Sequence, residues 1–119
     1  MKYLLLIYET EKNWANIPEA EQGKIFQEYM EYTAGIRKGG QYIGGEALQP
    51  VSTATCVRVK NGKTVSTDGP FAETREQLGG YYLVEARDLD EATRLAAGIP
   101  ASRTGTIEVR PIMPTPMPE

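Results

Sequence analysis

The sequence predicts an α+β sandwich: one antiparallel sheet with two helices on one of its faces. Strand-like and helix-like segments follow one another as strand, helix, strand, hairpin, strand, helix, strand. Two of the strands, Met1–Tyr8 and Tyr81–Ala86, are apolar on both faces, as central strands are. Between the two strand-helix-strand halves, Asn61-Gly62 joins two runs of period two, the strongest short signal for a hairpin. Two such halves around a hairpin make a ferredoxin-like arrangement. The helices would cover only one sheet face. The other face carries too many apolar residues to meet water, so two sheets are expected to pair face to face in a homodimer.

In Met1–Tyr8, Tyr3, Leu5 and Ile7 share one face and Leu4, Leu6 and Tyr8 the other. Asn16 and Glu19, three apart, with Pro18 in the first turn, predict a helix from about Pro18 to Lys38. Ile25, Tyr29, Thr33 and Ile36, beside Phe26 and Met30, form the apolar stripe it turns to the sheet. Gly39-Gly40 ends it. Trp14, in the preceding loop, either packs there or covers a pocket mouth. Gln41–Leu48 reads as a strand whose Gly44-Gly45 marks a bulge or a close backbone approach. Thr53–Lys60 and Lys63–Thr67 form the hairpin, with Val59 opposite Thr64 and Arg58 opposite Val65. After Tyr81–Ala86, Asp88 and Glu91 make a second capping pair. They open a helix to about Ala97, ended by Gly98 and Pro100. Thr106–Arg110 is the last strand, with Ile107 and Val109 on one face. Residues 1–112 then make one domain and 113–119 a proline-rich tail, extended or disordered unless another subunit holds it.

At 119 residues the chain has the size of one domain and needs no staple. A net charge of −3 leaves no basic footprint, which argues against direct nucleic-acid binding. Cys56 is the only cysteine, so no intramolecular disulfide forms and a reducing compartment fits best. The apolar run Tyr3–Tyr8 is too short to span a membrane and has no signal-peptide pattern, so a cytoplasmic location is expected. There is no histidine. That removes the commonest general base and metal ligand, and with them Ser-His-Asp, Cys-His and His/Cys zinc arrangements. No glycine motif for a phosphate or dinucleotide is present. Neither a metal nor a cofactor is expected.

The densest chemistry lies in one run, Thr67 to Tyr82. Asp68-Gly69-Pro70 cannot continue a strand, because proline lacks an N–H and glycine tolerates positive φ. Glu73, Arg75 and Glu76 follow, then Gly79-Gly80 and two tyrosines. Charge-rich loops between strands are where sites sit, while Asp, Gly and Pro also serve to shape a plain turn. Asp68, partly buried beside a tyrosine, would be a general acid or base. Otherwise it is a turn residue. Arg75 either binds an anionic ligand through its fork of donors or pairs with Glu73 or Glu76. Tyr81 and Tyr82 point to opposite faces of one strand, so only one of them lines a given pocket. Glu46 either supplies a second carboxylate or is a solvated strand residue. Cys56 is read as a small hydrophobe, with no base nearby in sequence.

The run Asp68-Gly69-Pro70-Phe71, Ala72-Glu73-Thr74 and Gln77-Leu78-Gly79-Gly80-Tyr81-Tyr82-Leu83 resembles the signature of the DGPF-domain branch of the YCII-related family. Met1-Lys2-Tyr3, Gly45-Glu46-Ala47-Leu48-Gln49-Pro50 and Ile107-Glu108-Val109-Arg110-Pro111 extend the resemblance over about residues 1–112. It implies a dimeric α+β barrel. Simpler members of that family carry a His–Asp pair as acid and base, which a chain without histidine cannot reproduce. The first helix, closing with Ile36-Arg37-Lys38-Gly39-Gly40, has no aspartate there either. A wider relative removes chloride from an aromatic ring. Genes of the DGPF branch lie beside those of extracytoplasmic-function sigma factors, which implies a regulatory context. Two functions follow: a dimeric module that binds a small ligand or a partner in such a circuit, or a lyase or isomerase using Asp68 with Arg75 or a tyrosine orienting the substrate.

Overall fold

The computed structural model describes residues 1–115. Strand β1 (Lys2–Glu9) leads through a short helix α1 (Glu11–Ala15) into the long helix α2 (Glu19–Lys38). Strand β2 (Tyr42–Ala47) and a 3₁₀ turn at Val51–Thr53 precede the hairpin β3 (Thr55–Lys60) and β4 (Lys63–Asp68). Strand β5 (Gln77–Glu85), helix α3 (Leu89–Ala97), a 3₁₀ turn at Pro100–Arg103 and strand β6 (Thr106–Pro111) complete the chain. The main sheet runs β2-β5-β1-β6, every neighbouring pair antiparallel, and β3 and β4 form a separate two-stranded sheet. This is the predicted ferredoxin-like order with a hairpin inserted between its second and third sheet strands.

Alternation along the central strands divides the sheet's residues. Tyr3, Leu5 and Ile7 of β1 and Tyr82 and Val84 of β5 are buried beneath the helices. Ile36 of α2, Ala92 and Ala96 of α3, and Ile99 and Ala101 after α3 close over them. Tyr29, Tyr32, Leu95, Ile107 and Val109 pack around this core. Leu5, Val84 and Ile99 are fully buried. Each such side chain contributes roughly 1.5–3 kcal/mol relative to an exposed one.

The start of the long helix differs from expectation. Asn16 does not cap α2 but ends α1, its N–H bonded to the Asn13 carbonyl. Pro18 is the residue before α2 and offers no side-chain cap. Trp14 therefore sits on a helical turn, where its ring meets Phe26 edge-on at 5.7 Å. Phe26 and Met30 leave the predicted core stripe, being 61% and 67% exposed. Met30 follows Tyr29, which packs against the core, by one position, and one helical step rotates a side chain by about 100°. The second cap is as predicted: Asp88 accepts from Glu91 N–H at 2.9 Å, and Glu91 accepts from Arg87 N–H at 3.0 Å.

The hairpin register is the predicted one, with Val59 opposite Thr64 and Arg58 opposite Val65. Strand β5 begins earlier than expected, at Gln77, and absorbs Gly79 in a bulge opposite β1 between Ile7 and Tyr8. A second bulge at Ile43 shifts β2 against β5. The close approach foreseen at the paired glycines is between β2 and β5 themselves. A Cβ on Gly80 would lie 2.9 Å from the Glu46 carbonyl oxygen, and one on Gly45 2.8 Å from that of Tyr81. Just before the tail, Ile112 N–H bonds to the Lys2 carbonyl; of the tail itself, residues 116–119 lie outside the described residues.

Candidate functional site

The sheet face away from the helices presents a continuous set of side chains from all four strands. In the antiparallel ladders, directly opposed residues share a face. One row across the sheet reads Glu46, Tyr81, Leu6, Glu108. The next reads Gly44, Leu83, Leu4, Arg110, and on the other side Leu78, Tyr8, Thr106. Leu4, Leu6, Tyr8, Leu78, Tyr81 and Leu83 are only half-buried. No helix among the described residues lies over them. Acidic groups border this apolar strip: Glu46 on β2, and Glu108, ion-paired with Arg110, on β6. That pairing holds the Arg110 guanidinium above its ordinary range.

The candidate residues from the sequence fall in three places. Glu46 and Tyr81 are brought together as direct cross-strand neighbours on the open face. Tyr82 points the other way, into the core. Its hydroxyl and that of Thr33 hydrogen-bond at 2.7 Å, and its ring meets Tyr32 and Tyr42 edge-on at 5.2 and 6.4 Å. Burial raises its pKa, and that of Tyr29 and Tyr32 still more strongly. These hydroxyls stay protonated and serve packing. Asp68 ends β4, exposed, and its carboxylate has no hydrogen-bond or ion-pair partner among the described residues. Gly69 follows at φ 97°, a conformation that only glycine adopts cheaply, and its N–H returns to the Ala54 carbonyl at 2.7 Å. Cys56 is half-buried, with its thiol on the Gly69 carbonyl at 3.2 Å.

Arg75 pairs with neither Glu73 nor Glu76 among the described residues. Its backbone is tied down, the carbonyl accepting from the Thr10 hydroxyl at 3.4 Å, while its guanidinium is left in solvent. Glu76 instead accepts from the Thr106 hydroxyl at 2.8 Å. Gln77 accepts from Glu11 N–H at 3.0 Å, and Glu11 from Val51 N–H at 3.0 Å. The loop before β5 is thus stitched to the ends of β1 and β6. Leu6 and Tyr8 were expected on the second face of the first strand, whereas Glu108 and Arg110 were not singled out by sequence. The signal for them was the one face assigned to Ile107 and Val109, which puts Glu108 and Arg110 on the opposite face.

Two concavities lie on the helix side. One, of about 360 Å³, is lined by Glu28, Tyr32, Gly98, Ser102 and Arg103 among others. Its polar groups bond one another: Arg103 forks onto Glu28 at 2.8 and 2.9 Å, Tyr32 donates to the Leu95 carbonyl at 2.7 Å, and Ser102 donates to that of Ala97 at 2.9 Å. The fork holds the Glu28 carboxyl below its usual range. The other is a shallow groove along α2 past Phe26, Met30 and Arg37, whose guanidinium sits 4.3 Å over the Tyr42 ring. Among the described residues no three His, Cys, Asp or Glu side chains gather as metal ligands, and no helix is long and apolar enough to cross a membrane.

Residues 1–116 match the YCII-related domain. The chain belongs to the YCII-related family. An uncharacterized protein of Rhizobium meliloti (strain 1021) is 32% identical over 114 residues, covering 94% of this chain and 92% of that one. The four-stranded antiparallel sheet with its helices is consistent with a ferredoxin-like YCII-related fold.

Proposed function

We propose that this YCII-related protein is a homodimeric module that binds a small ligand where two open sheet faces meet. The observation that carries this reading is the set of Leu4, Leu6, Tyr8, Leu78, Tyr81 and Leu83 left without a helix over it among the described residues. A contiguous apolar patch on a folded chain marks an interaction surface. Pairing the faces would cover the leucines, with Glu46, Tyr81 and Glu108 at the seam. A cavity at that seam suits a small, largely apolar ligand with a cation or hydrogen-bond donor for Glu46. The Asp68-Gly69-Pro70-Phe71 run supports a place in the DGPF branch, and hence a cytoplasmic role in the circuit of an extracytoplasmic-function sigma factor. A lyase or isomerase built on Asp68 draws less support, because that carboxylate is exposed and no side chain among the described residues orients it.

Sedimentation at micromolar concentration tests the pairing. The wild type is expected as a dimer and Leu6→Asp as a folded monomer; a monomeric wild type overturns the reading. A metabolite screen by thermal shift then tests the ligand. Hits that stabilise the wild type should lose their effect in Glu46→Gln and Tyr81→Ala, and hits equally strong in both variants would place the ligand elsewhere.

A further inference from the structure

Strands β3 and β4 form a two-stranded sheet that no third strand joins among the described residues. Every residue of β4 is exposed, as is every residue of β3 except Cys56. A hairpin of two strands is marginal in water, and each outer edge presents unpaired backbone groups. The register tells which groups these are. In an antiparallel ladder, residue pairs that exchange hydrogen bonds alternate with pairs that exchange none. Just beyond the pair Thr55 and Asp68, Gly69 N–H bonds to the Ala54 carbonyl at 2.7 Å, which puts that pair in the bonded set. Along the ladder, Cys56, Arg58 and Lys60 then bond to β4, while Val57 and Val59 turn their N–H and C=O groups away from it. The side chains alternate too. Arg58 and Lys60 share a face with Lys63 and Val65 and with no carboxylate. None of these three cations has an ion-pair partner among the described residues. Val57 and Val59 stand on the opposite face, 62% and 69% exposed.

We propose that the outer edge of β3 takes up an extended segment of another protein, one with carboxylates at alternate positions and apolar residues between them. Strand addition to a free edge draws affinity from main-chain hydrogen bonds, and alternate side chains select the partner. Here the N–H and C=O groups of Val57 and Val59 hold the segment's backbone. Its residues opposite Arg58 and Lys60 lie on the cationic face, because directly opposed side chains share a face. These are the non-bonded pairs of the new ladder, in which side chains come closest, so carboxylates fit there. The two cations are two residues apart, roughly 7 Å along a strand, the interval between alternate carboxylates on an extended segment. The intervening residues fall beside Val57 and Val59, where β-branched side chains pair well. Charge distribution favours the same site. Arg58, Lys60 and Lys63 against Asp68 give the hairpin a net +2, so the rest of the chain, at −3 overall, carries −5. An acidic segment is therefore drawn to the hairpin rather than to the body. A second copy of the same edge is disfavoured. Two β3 strands paired antiparallel about Arg58 or Val59 set cation against cation, which destabilises a sheet.

This edge lies apart from the open sheet face, so the inference neither needs the pairing of two faces nor falls with it. The test titrates the full chain into short fluorescent peptides and follows anisotropy. One peptide alternates glutamate and valine, a second has the same composition with its glutamates grouped at one end, and a third alternates lysine and valine. Two cross-strand charge pairs should make the first bind about tenfold more tightly than either of the others. Arg58→Glu with Lys60→Glu keeps the edge and reverses its charge, so the lysine peptide should become the tightest. Backbone amide exchange supplies a second readout. In the complex, Val57 and Val59 N–H groups should exchange about tenfold more slowly, while Thr64 and Ser66, on the outer edge of β4, stay fast. No binding, equal binding of the alternating and grouped glutamate peptides, an unchanged order in the charge-reversed variant, or binding without slowed exchange at Val57 and Val59 each overturns the strand addition.

Discussion

Strands β1 and β5 carry apolar side chains on both faces, and the two faces end differently. On one, Leu5, Ile7, Tyr82 and Val84 lie sealed under α2 and α3. On the other, Leu4, Leu6, Tyr81 and Leu83 are left half-buried, with Glu46 and Glu108 at their borders. The residue types are nearly the same, and so is the period. The difference lies in what covers them. The covered face also carries polar groups that are fully satisfied, such as Tyr82 on Thr33, whereas carboxylates fringe the open face. Hydrophobicity by itself therefore identifies a strand that needs cover on both sides, while the polar fringe tells which cover is internal.

The largest expected effect comes from truncating neighbours on opposite faces. Leu5→Ala should cost about 2–5 kcal/mol in urea unfolding, since it opens a cavity in a sealed core. Leu6→Ala, on a half-buried residue, should cost about 1 kcal/mol in the isolated chain and act mainly on dimer affinity. Equal losses in a monomeric state would erase the distinction between the faces.

High pH should act through the covered face. Burial raises the pKa of Tyr29, Tyr32 and Tyr82. A raised folded value gives stability that is complete below the unfolded tyrosine value of about 10 and lost as pH climbs towards the folded ones. The urea midpoint should fall above about pH 10, with tyrosinate absorbance from these three residues appearing only as the chain unfolds. Full tyrosine ionisation in a still-folded protein would contradict the packing described.

Adjacent tyrosines sharpen the contrast further. Tyr82→Phe removes the partner of the Thr33 hydroxyl and should cost about 0.5–1.5 kcal/mol. Tyr81→Phe should stay within about 0.5 kcal/mol, as surface changes do. The reverse order would mean that the open face is the more tightly built.

The smallest effect belongs to the β3–β4 hairpin. Asp68 makes no side-chain hydrogen bond among the described residues, so Asp68→Ala should stay within about 0.5 kcal/mol in thermal melts. Asp88→Ala, which deletes a real cap on α3, sets the scale at about 1 kcal/mol. A larger loss from Asp68 than from Asp88 would show a partner for Asp68 in the assembled protein.

By itself the sequence determined whatever is written in local periods and turn chemistry. Alternation in Met1–Tyr8, the Asn61-Gly62 turn with its register and the Asp88 cap each depend on residues within a few positions of one another. Their physics is local and needs no partner across the fold. Tertiary structure decided the rest. Asn16 had the right type and spacing for a cap, but the chain turned into α1 first and left α2 to begin after Pro18. Phe26 and Met30 looked like core until α2's rotation on the sheet faced them outward. The site was half-legible for the same reason. That Tyr81 and Tyr82 point apart follows from one strand's pleat. That Tyr81 has Glu46 on one side and Leu6 and Glu108 on the other follows only from the order β2-β5-β1-β6, which brings together residues up to 102 positions apart, Leu6 and Glu108. For Asp68 the sequence left a site role and a turn role open, because charge and glycine crowd around it. Packing placed it at the root of an exposed hairpin, since two strands joined by a tight turn satisfy each other's backbone without the rest of the sheet.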